Sequence, residues 1–247
     1  MSGGAGSTPE VDRRRVFGET PESPERIAPG YFSPQVEAEH LARYRWASRG
    51  VRGLTVLDAA CGTGYGSATL RAAGARFVCA VDVSAAALGF ARATYPRAAY
   101  VRADALDLPI RAAAVDVVVS LETIEHLTDG RRFLRALRGI LRPGGTLFLS
   151  SPNGPATGAR NPYHVHEMDL DELRGLLRAT GFRAAGLWGQ YWRLPSRHGV
   201  WRFKGLGRLA HYLAKWPRVW RAPDRLGLRP DYWCVRAVAD APIDDRP

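Results

Sequence analysis

Cysteine is scarce in this chain of 247 residues. Cys61, Cys79 and Cys234 are odd in number, scattered, and form no CxxC pair. That excludes a disulfide framework and fits a reducing compartment such as the cytoplasm. No apolar run reaches the roughly 18 residues that a membrane span needs, and the opening stretch MSGGAGSTPEVDRRR lacks the apolar core of a signal peptide. Lysine is almost missing: Lys204 and Lys215 stand among 35 basic residues, an arginine bias that reads as genome composition. Acid is missing from Leu173 to Pro223, a span with 11 basic residues, so the net charge of +11 sits in that one segment. Trp188, Trp192, Trp201, Trp216 and Trp220 sit there too. No internal repeat is evident.

What is present is ordinary globular composition, with 46% hydrophobic and 24% charged residues. The length suits one α/β domain with decorations, or at most two small domains. Residues 1–30, rich in Gly, Ser, Pro and charge, are expected to be partly disordered. A helix is expected over Gln35–Ser48, with Val36, Leu41, Tyr44 and Ala47 near one face. Strand and helix signals then alternate. Strands are expected at Leu54–Asp58, Phe77–Val81, Tyr100–Arg102, Val115–Ser120 and Thr146–Ser150. Helices are expected at Gly66–Ala73, Ala85–Tyr95, Arg131–Leu141 and Asp169–Thr180. Phe182–Trp188 and Tyr232–Val238 read as a final antiparallel pair. Alternation of this length predicts a Rossmann-like α/β fold, a doubly wound and mostly parallel sheet with ligands at the carboxyl ends of its strands.

The stretch VLDAACGTGYGS, Val56 to Ser67, turns sharply from strand to helix. Gly62, Gly64 and Gly66 clear side chains from the turn, so that backbone N–H groups can meet a ligand. A dinucleotide fingerprint is GxGxxG; here the spacing is GxGxG, and Asp58 precedes the loop. An amino-acid tail, carboxylate and ammonium together, suits that combination better than a pyrophosphate does. About 20 residues on, VCAVDVS ends a strand in Asp82, whose carboxylate can accept both hydroxyls of a ribose, and VRADALDLPI puts Asp104 at another strand end, where it can accept an adenine amino group. Taken singly, these features also fit a dehydrogenase or a non-catalytic Rossmann-like domain.

With VDVVVSLETIEHL and LRPGGTLFLSSPN following in order, the chain strongly resembles the class I S-adenosylmethionine-dependent methyltransferases over about Gly30–Ala239. The resemblance implies a seven-stranded sheet whose last strand is antiparallel, a methyltransferase domain over residues 31–240, and a tail at 241–247. It also implies that Gly62 and Gly64 line the methionine moiety of S-adenosylmethionine. Asp82, followed by Val83, would hold the ribose, Asp104 with Ala105 would meet the adenine, and Ser120 to Glu122 would floor the site near the sulfonium. Asp58 would order the loop or meet the ammonium through water.

A hydroxyl acceptor must lose a proton, to a general base or to a metal-bound group. Glu122, Glu125 and His126 follow the fourth strand, and at a helix start positions i, i+3 and i+4 share a face. Two carboxylates and an imidazole suit Mg, Mn or Zn. This ExxEH run looks like the metal ligands of ubiquinone-pathway O-methyltransferases and of small-RNA 2′-O-methyltransferases. NPYHVHEMD then offers His164, His166 and Glu167, with His166 best placed as a fourth ligand and as a catalytic partner of Glu125 and His126. The connection before those histidines is much shorter than in the RNA group. Without an ion, Glu125 would simply favour a helix N-terminus and His126 would act as a base or pack.

The basic, Trp-rich insertion at 195–225 fits an amphipathic lid, an acceptor pocket for a sugar or anionic molecule, or contact with an anionic membrane surface. AEHLARYRWAS, LDAACGTGYGS, ETIEHL and NPYHVHEMDLDEL together look like bacterial methyltransferases of glycans and glycosylated natural products. The expectation is therefore O-methylation of a sugar-containing or phenolic small molecule in the cytoplasm, possible peripheral membrane contact included. Nucleic acid fits less well, because apolar runs interrupt the basic patch and no RNA-binding module accompanies it. A non-catalytic, cofactor-binding or membrane-peripheral partner is the alternative from another class. The acceptor, the methylated atom and the oligomeric state are not specified by the sequence.

Overall fold

A computed structural model of the chain describes residues 34–158, 161–190, 219–221 and 230–240. The expected N-terminal segment 1–30, nearly all of the insertion 195–225 and the tail 241–247 lie outside the described residues.

Helix α1, Pro34–Ala47, leads through a short 3-10 turn into strand β1, Thr55–Ala59. Helix α2 (Tyr65–Ala72), strand β2 (Phe77–Asp82), helix α3 (Ala85–Thr94) and strand β3 (Ala99–Arg102) follow. Strand β4, Val115–Leu121, precedes a 3-10 turn at Ile124–His126, helix α4 (Gly130–Ile140) and strand β5 (Leu141–Pro152). The chain closes with short helix α5 (Gly154–Thr157), helix α6 (Leu170–Ala179), strand β6 (Phe182–Gln190), strand β7 (Val219–Arg221) and strand β8 (Tyr232–Ala239).

The sheet order is β3-β2-β1-β4-β5-β8-β6-β7. Strands β1 to β5 pair in parallel, and β8 runs antiparallel between β5 and β6. This is the expected seven-stranded arrangement, with β7 added antiparallel at the β6 edge. Polar side chains start the helices where the spacing predicted. Ser84, Asp129 and Asp169 each accept a backbone N–H of the first turn, at 3.2, 2.8 and 2.8 Å.

Both faces of the sheet are covered, and the strands alternate between two cores. Leu57, Val118, Leu147 and Leu149 pack with Phe133, Leu134 and Leu137 of α4 and Leu173 and Leu177 of α6. Val56, Val117, Val119 and Phe148 point the other way, onto Tyr44 and Trp46 of α1 and Leu70 of α2. That is the period-2 reading of a strand buried on both sides. Phe133 is fully buried, and its loss would cost roughly 3–5 kcal/mol.

Two boundaries differ from expectation. Pro143-Gly144-Gly145 does not separate α4 from β5. It lies inside the strand as an irregularity, where β4 residues Val115 and Val117 pair with Leu141 and Thr146. And no helix starts at Glu122: the chain makes only the 3-10 turn at Ile124–His126, and α4 begins at Gly130. The i, i+3, i+4 argument for Glu122, Glu125 and His126 therefore does not hold here.

Candidate active site

The strand order reverses between β1 and β4, and a cavity of about 730 Å³ opens at the carboxyl ends of these strands. Ligands of α/β sheets bind at such switch points. The loop after β1 supplies its first wall. Ala60, Cys61 and Gly62 line the cavity, Ala60 and Gly62 at positive φ of 62° and 53°. A side chain at Gly62 would meet nothing within 4 Å, which leaves open space for a ligand. Gly64 is different. Its φ is +82°, and a Cβ there would fall 2.6 Å from the Ala91 side chain and 2.9 Å from the Tyr100 hydroxyl. Gly64 is glycine because α3 and β3 crowd it. It faces them, outside the cavity lining.

Asp58 also lies beneath the cavity. It is fully buried and accepts the Ser67 hydroxyl at 2.5 Å and the Tyr44 hydroxyl at 3.1 Å. Burial raises its pKa to about 6, against the lowering effect of those two hydrogen bonds. The carboxylate thus ties α1 to the first turn of α2 under the loop.

Asp82 ends β2 in the cavity wall. Its Oδ2 accepts the Gly62 N–H at 2.8 Å and its Oδ1 the Ser84 N–H at 2.9 Å. Both bonds fix the carboxylate's direction, and an ionised carboxylate has further lone pairs to offer a diol. Exposed Val83 lines the cavity beside it. Asp104 and Ala105, beyond β3, line the same end, and Asp104 Oδ1 accepts the Leu106 N–H at 2.8 Å.

The end of β4 supplies the opposite half. Glu122 adopts a positive φ of 53°, uncommon for a residue with a side chain. Its N–H donates to Ser150 Oγ at 3.1 Å, and Ser150 Oγ–H donates to its Oε1 at 2.7 Å. Its Oε2 lies 3.7 Å from Arg43 of α1. Glu122 lines the cavity, but its carboxylate is turned toward Ser150 and Arg43.

Glu125, His126 and His164 do come together: one ligand atom from each lies within 4.8 Å of the others. The 3-10 turn makes this possible. The Glu125 carbonyl accepts the N–H groups of Val165 and His166 at 2.8 and 3.2 Å, which fastens the NPYHVHEMD loop across the turn. His164 turns into the cavity, while Val165 and His166 are exposed. His166, the expected fourth ligand, pairs with Glu172 at 2.6 Å on the surface and is outside the cavity lining. His164 takes the place expected of it.

Both inward imidazoles are oriented from behind. His126 Nδ1 lies 3.1 Å from the Tyr163 carbonyl and must donate to it, which makes Nε2 the ring's acceptor nitrogen. His164 Nδ1 lies 2.5 Å from the buried Glu167 carboxylate, which also receives the Thr157 hydroxyl. Asn161 Nδ2 reaches His164 Nε2 at 2.9 Å. The two rings meet edge to face with centroids 4.8 Å apart.

The remaining wall was not foreseen from the sequence. Val36, His40 and Tyr44, one helical turn apart on α1, all line the cavity. Their spacing of four was a legible signal, but Val36 and Tyr44 read as core. Arg43 pins α1 in place. It is fully buried, donates to Gln190 at the end of β6, and stacks 4.6 Å above the Tyr232 ring. Burial, then the nearby Arg43, push the His40 pKa well below its ordinary value.

The chain is similar to known proteins. A family described as "Methyltransferase domain" matches residues 57–149. A Mycobacterium tuberculosis protein named as a probable S-adenosylmethionine-dependent methyltransferase is 37% identical over 200 residues, 77% of this chain and 73% of that one. An O-methyltransferase of Penicillium expansum is 29% identical, over 70% of this chain and 72% of the other. Among solved structures, a Thermotoga maritima SAM-dependent methyltransferase, described as a possible histamine N-methyltransferase, superposes with a TM-score of 0.63. It covers 83% of this chain and 91% of its own at 15% identity, which speaks for the fold alone.

Proposed function

This chain belongs to the S-adenosylmethionine-dependent methyltransferases, and from that premise we propose that it methylates a hydroxyl of a sugar-containing or phenolic small molecule. The observation that carries the reading is one cavity with two chemically different ends. One end, with Gly62, Asp82, Val83, Asp104 and Ala105, fits a nucleoside bearing a diol: an open backbone approach, an oriented carboxylate, an apolar side chain and a second carboxylate. The other end gathers Glu125, His126 and His164, groups that serve a hydroxyl proton. S-adenosylmethionine supplies a methyl already activated on its sulfonium, so the protein's task is alignment, exclusion of water and proton removal.

In this reading Tyr163 fixes the His126 ring, which helps to hold the acceptor in place. Glu125, His126 and His164 also fit a divalent ion by chemistry. Two imidazoles each donate Nδ1–H to an oxygen behind them, as metal-bound histidines do. They are not closed on one: ligand atoms around zinc stand roughly 3.3 Å apart, and Asn161 already meets His164 Nε2. Binding would require Asn161 to turn away. The relative from Penicillium expansum, named as an O-methyltransferase, supports the hydroxyl. The basic, Trp-rich composition of the insertion supports an anionic or lipid-linked acceptor. Among the described residues no helix is long and apolar enough to cross a membrane.

Calorimetric titration with S-adenosylhomocysteine, in EDTA and in Mg or Mn, with glycans, glycolipids and polyphenols added, tests the proposal. Micromolar cofactor binding with one acceptor class gaining a methyl by mass spectrometry is the expected result. Absence of cofactor binding would sink it; methylation confined to amines would sink the hydroxyl assignment.

A further inference from the structure

We propose that His40 is the group that takes the acceptor's hydroxyl proton. This rests on the hydroxyl-methylation reading above and deepens it. The chain carries six histidines. Four of them, His40, His126, His164 and His166, are described, and their environments differ. His166 is on the surface with Glu172. Both nitrogens of His164 are engaged, by Glu167 and Asn161. His126 donates Nδ1–H to Tyr163 and stands edge-on to His164, which suits it to hold an acceptor in place. His40 lines the same cavity from α1 and makes no hydrogen bond to another described residue. Its ring is half-buried at the cavity wall, which leaves it open to a ligand group there.

The position suits the role. Tyr44, one turn further along α1, is anchored on Asp58 under the glycine loop. Arg43, three residues from His40, meets Glu122 and Tyr232. His40 therefore lines the cavity from a helix that is tied both to the loop after β1 and to the end of β4. Arg43 and Tyr44 flank it on its own helix. Across the cavity stand the carboxylates Asp82, Asp104, Glu122 and Glu125, the imidazoles His126 and His164, and the phenols of Tyr65, Tyr163 and Tyr232. Burial and Arg43 keep His40 neutral near pH 7, the state in which an imidazole can accept a proton. In the transfer, a lone pair of the acceptor oxygen forms the new O–CH₃ bond while the C–S bond breaks. The sulfur keeps that electron pair and becomes a neutral thioether. The hydroxyl proton passes to a His40 ring nitrogen, and the imidazolium later releases it to water. The positive sulfonium disappears in the same step, so the affinity of His40 for a proton rises as the proton arrives.

The test is a pH titration of histidine ring resonances by NMR on the full chain carrying labelled histidine, with S-adenosylmethionine and then S-adenosylhomocysteine bound. The His40→Asn variant assigns the signal. His40 is expected to titrate below an ordinary histidine, and about threefold or more lower in proton affinity with the sulfonium than with the thioether, because the cation lies close. Equal titration in the two complexes would overturn the proposal. If neither compound binds, the methyltransferase reading fails instead, and the two failures stay distinct. With 3,4-dihydroxybenzoate as phenolic acceptor, His40→Asn is expected to lose the acidic limb of the kcat profile while S-adenosylhomocysteine binds within about twofold. An acidic limb kept in His40→Asn and lost in His126→Asn would assign the proton to His126 and refute His40.

Discussion

The two ends of the cavity are built by different means. The end proposed for the cofactor rests on backbone and on bonds between neighbouring strand–loop units: Gly62 to Asp82, Asp82 to Ser84, Asp104 to Leu106. The end proposed for the acceptor is assembled from α1, the turn after β4 and the loop after α5, with partners such as His126 and Tyr163, or Arg43 and Gln190, far apart along the chain. One end is a local motif that any acceptor chemistry can share. The other can be rebuilt by moving a loop, which is how one fold serves many acceptors.

If that contrast holds, substitutions at the acceptor end should change turnover, and those at the cofactor end should change binding or folding. The largest effect is expected at His40. His40→Ala should lower kcat by about a hundred- to ten-thousandfold, with S-adenosylhomocysteine affinity within about twofold by calorimetry. Gly64→Ala should destabilise the fold by about 2–4 kcal/mol in urea unfolding, because a positive φ and contact with Ala91 act together.

Asp58 should appear in the pH dependence of stability. Its folded-state pKa of about 6 lies above the ordinary 3.8, so the folded protein holds the proton more tightly than the unfolded chain does. That contribution is full below about pH 4 and is lost as pH rises through about 6. From pH 4 to pH 7.5, wild type should therefore lose about 2–3 kcal/mol relative to Asp58→Asn. A pH-independent difference between the two would break the assignment of Asp58 as a buried carboxylate under the loop.

Asp82→Ala should weaken S-adenosylhomocysteine binding about a hundredfold, roughly 2.8 kcal/mol, through loss of the diol acceptor and of the brace on Gly62. The smallest effect sharpens the comparison most. His166→Ala should leave kcat unchanged and stability within about 0.5 kcal/mol, since its partner Glu172 is a surface carboxylate. A large loss of turnover there would return His166 to the site and remove His164 from it.

Most of the scaffold was legible because helices and buried strands write their periods into short windows. Val115–Leu121 is dominated by valine, and Asp129 and Asp169 mark helix starts by chemistry that needs only three neighbouring residues. One boundary, a helix assumed from Glu122, failed because a positive φ at glutamate leaves no trace in composition. The choice between His164 and His166 turned on two backbone bonds to the Glu125 carbonyl, which no spacing rule contains. His40 was passed over because a histidine beside tyrosine and valine on one helical face reads equally well as core.

By itself, then, the order of residues determined the α/β alternation, the open turn at Gly62 and the carboxylates at the ends of β2 and β3, because each depends on interactions within one strand–loop–helix unit. Only the tertiary structure decided which imidazoles share the cavity, how they are turned, and that α1 closes its remaining side. Those outcomes depend on where chain segments more than a hundred residues apart come to rest, as the Arg43–Gln190 bond shows across 147 positions. Long-range packing sets those positions, and no local pattern encodes them.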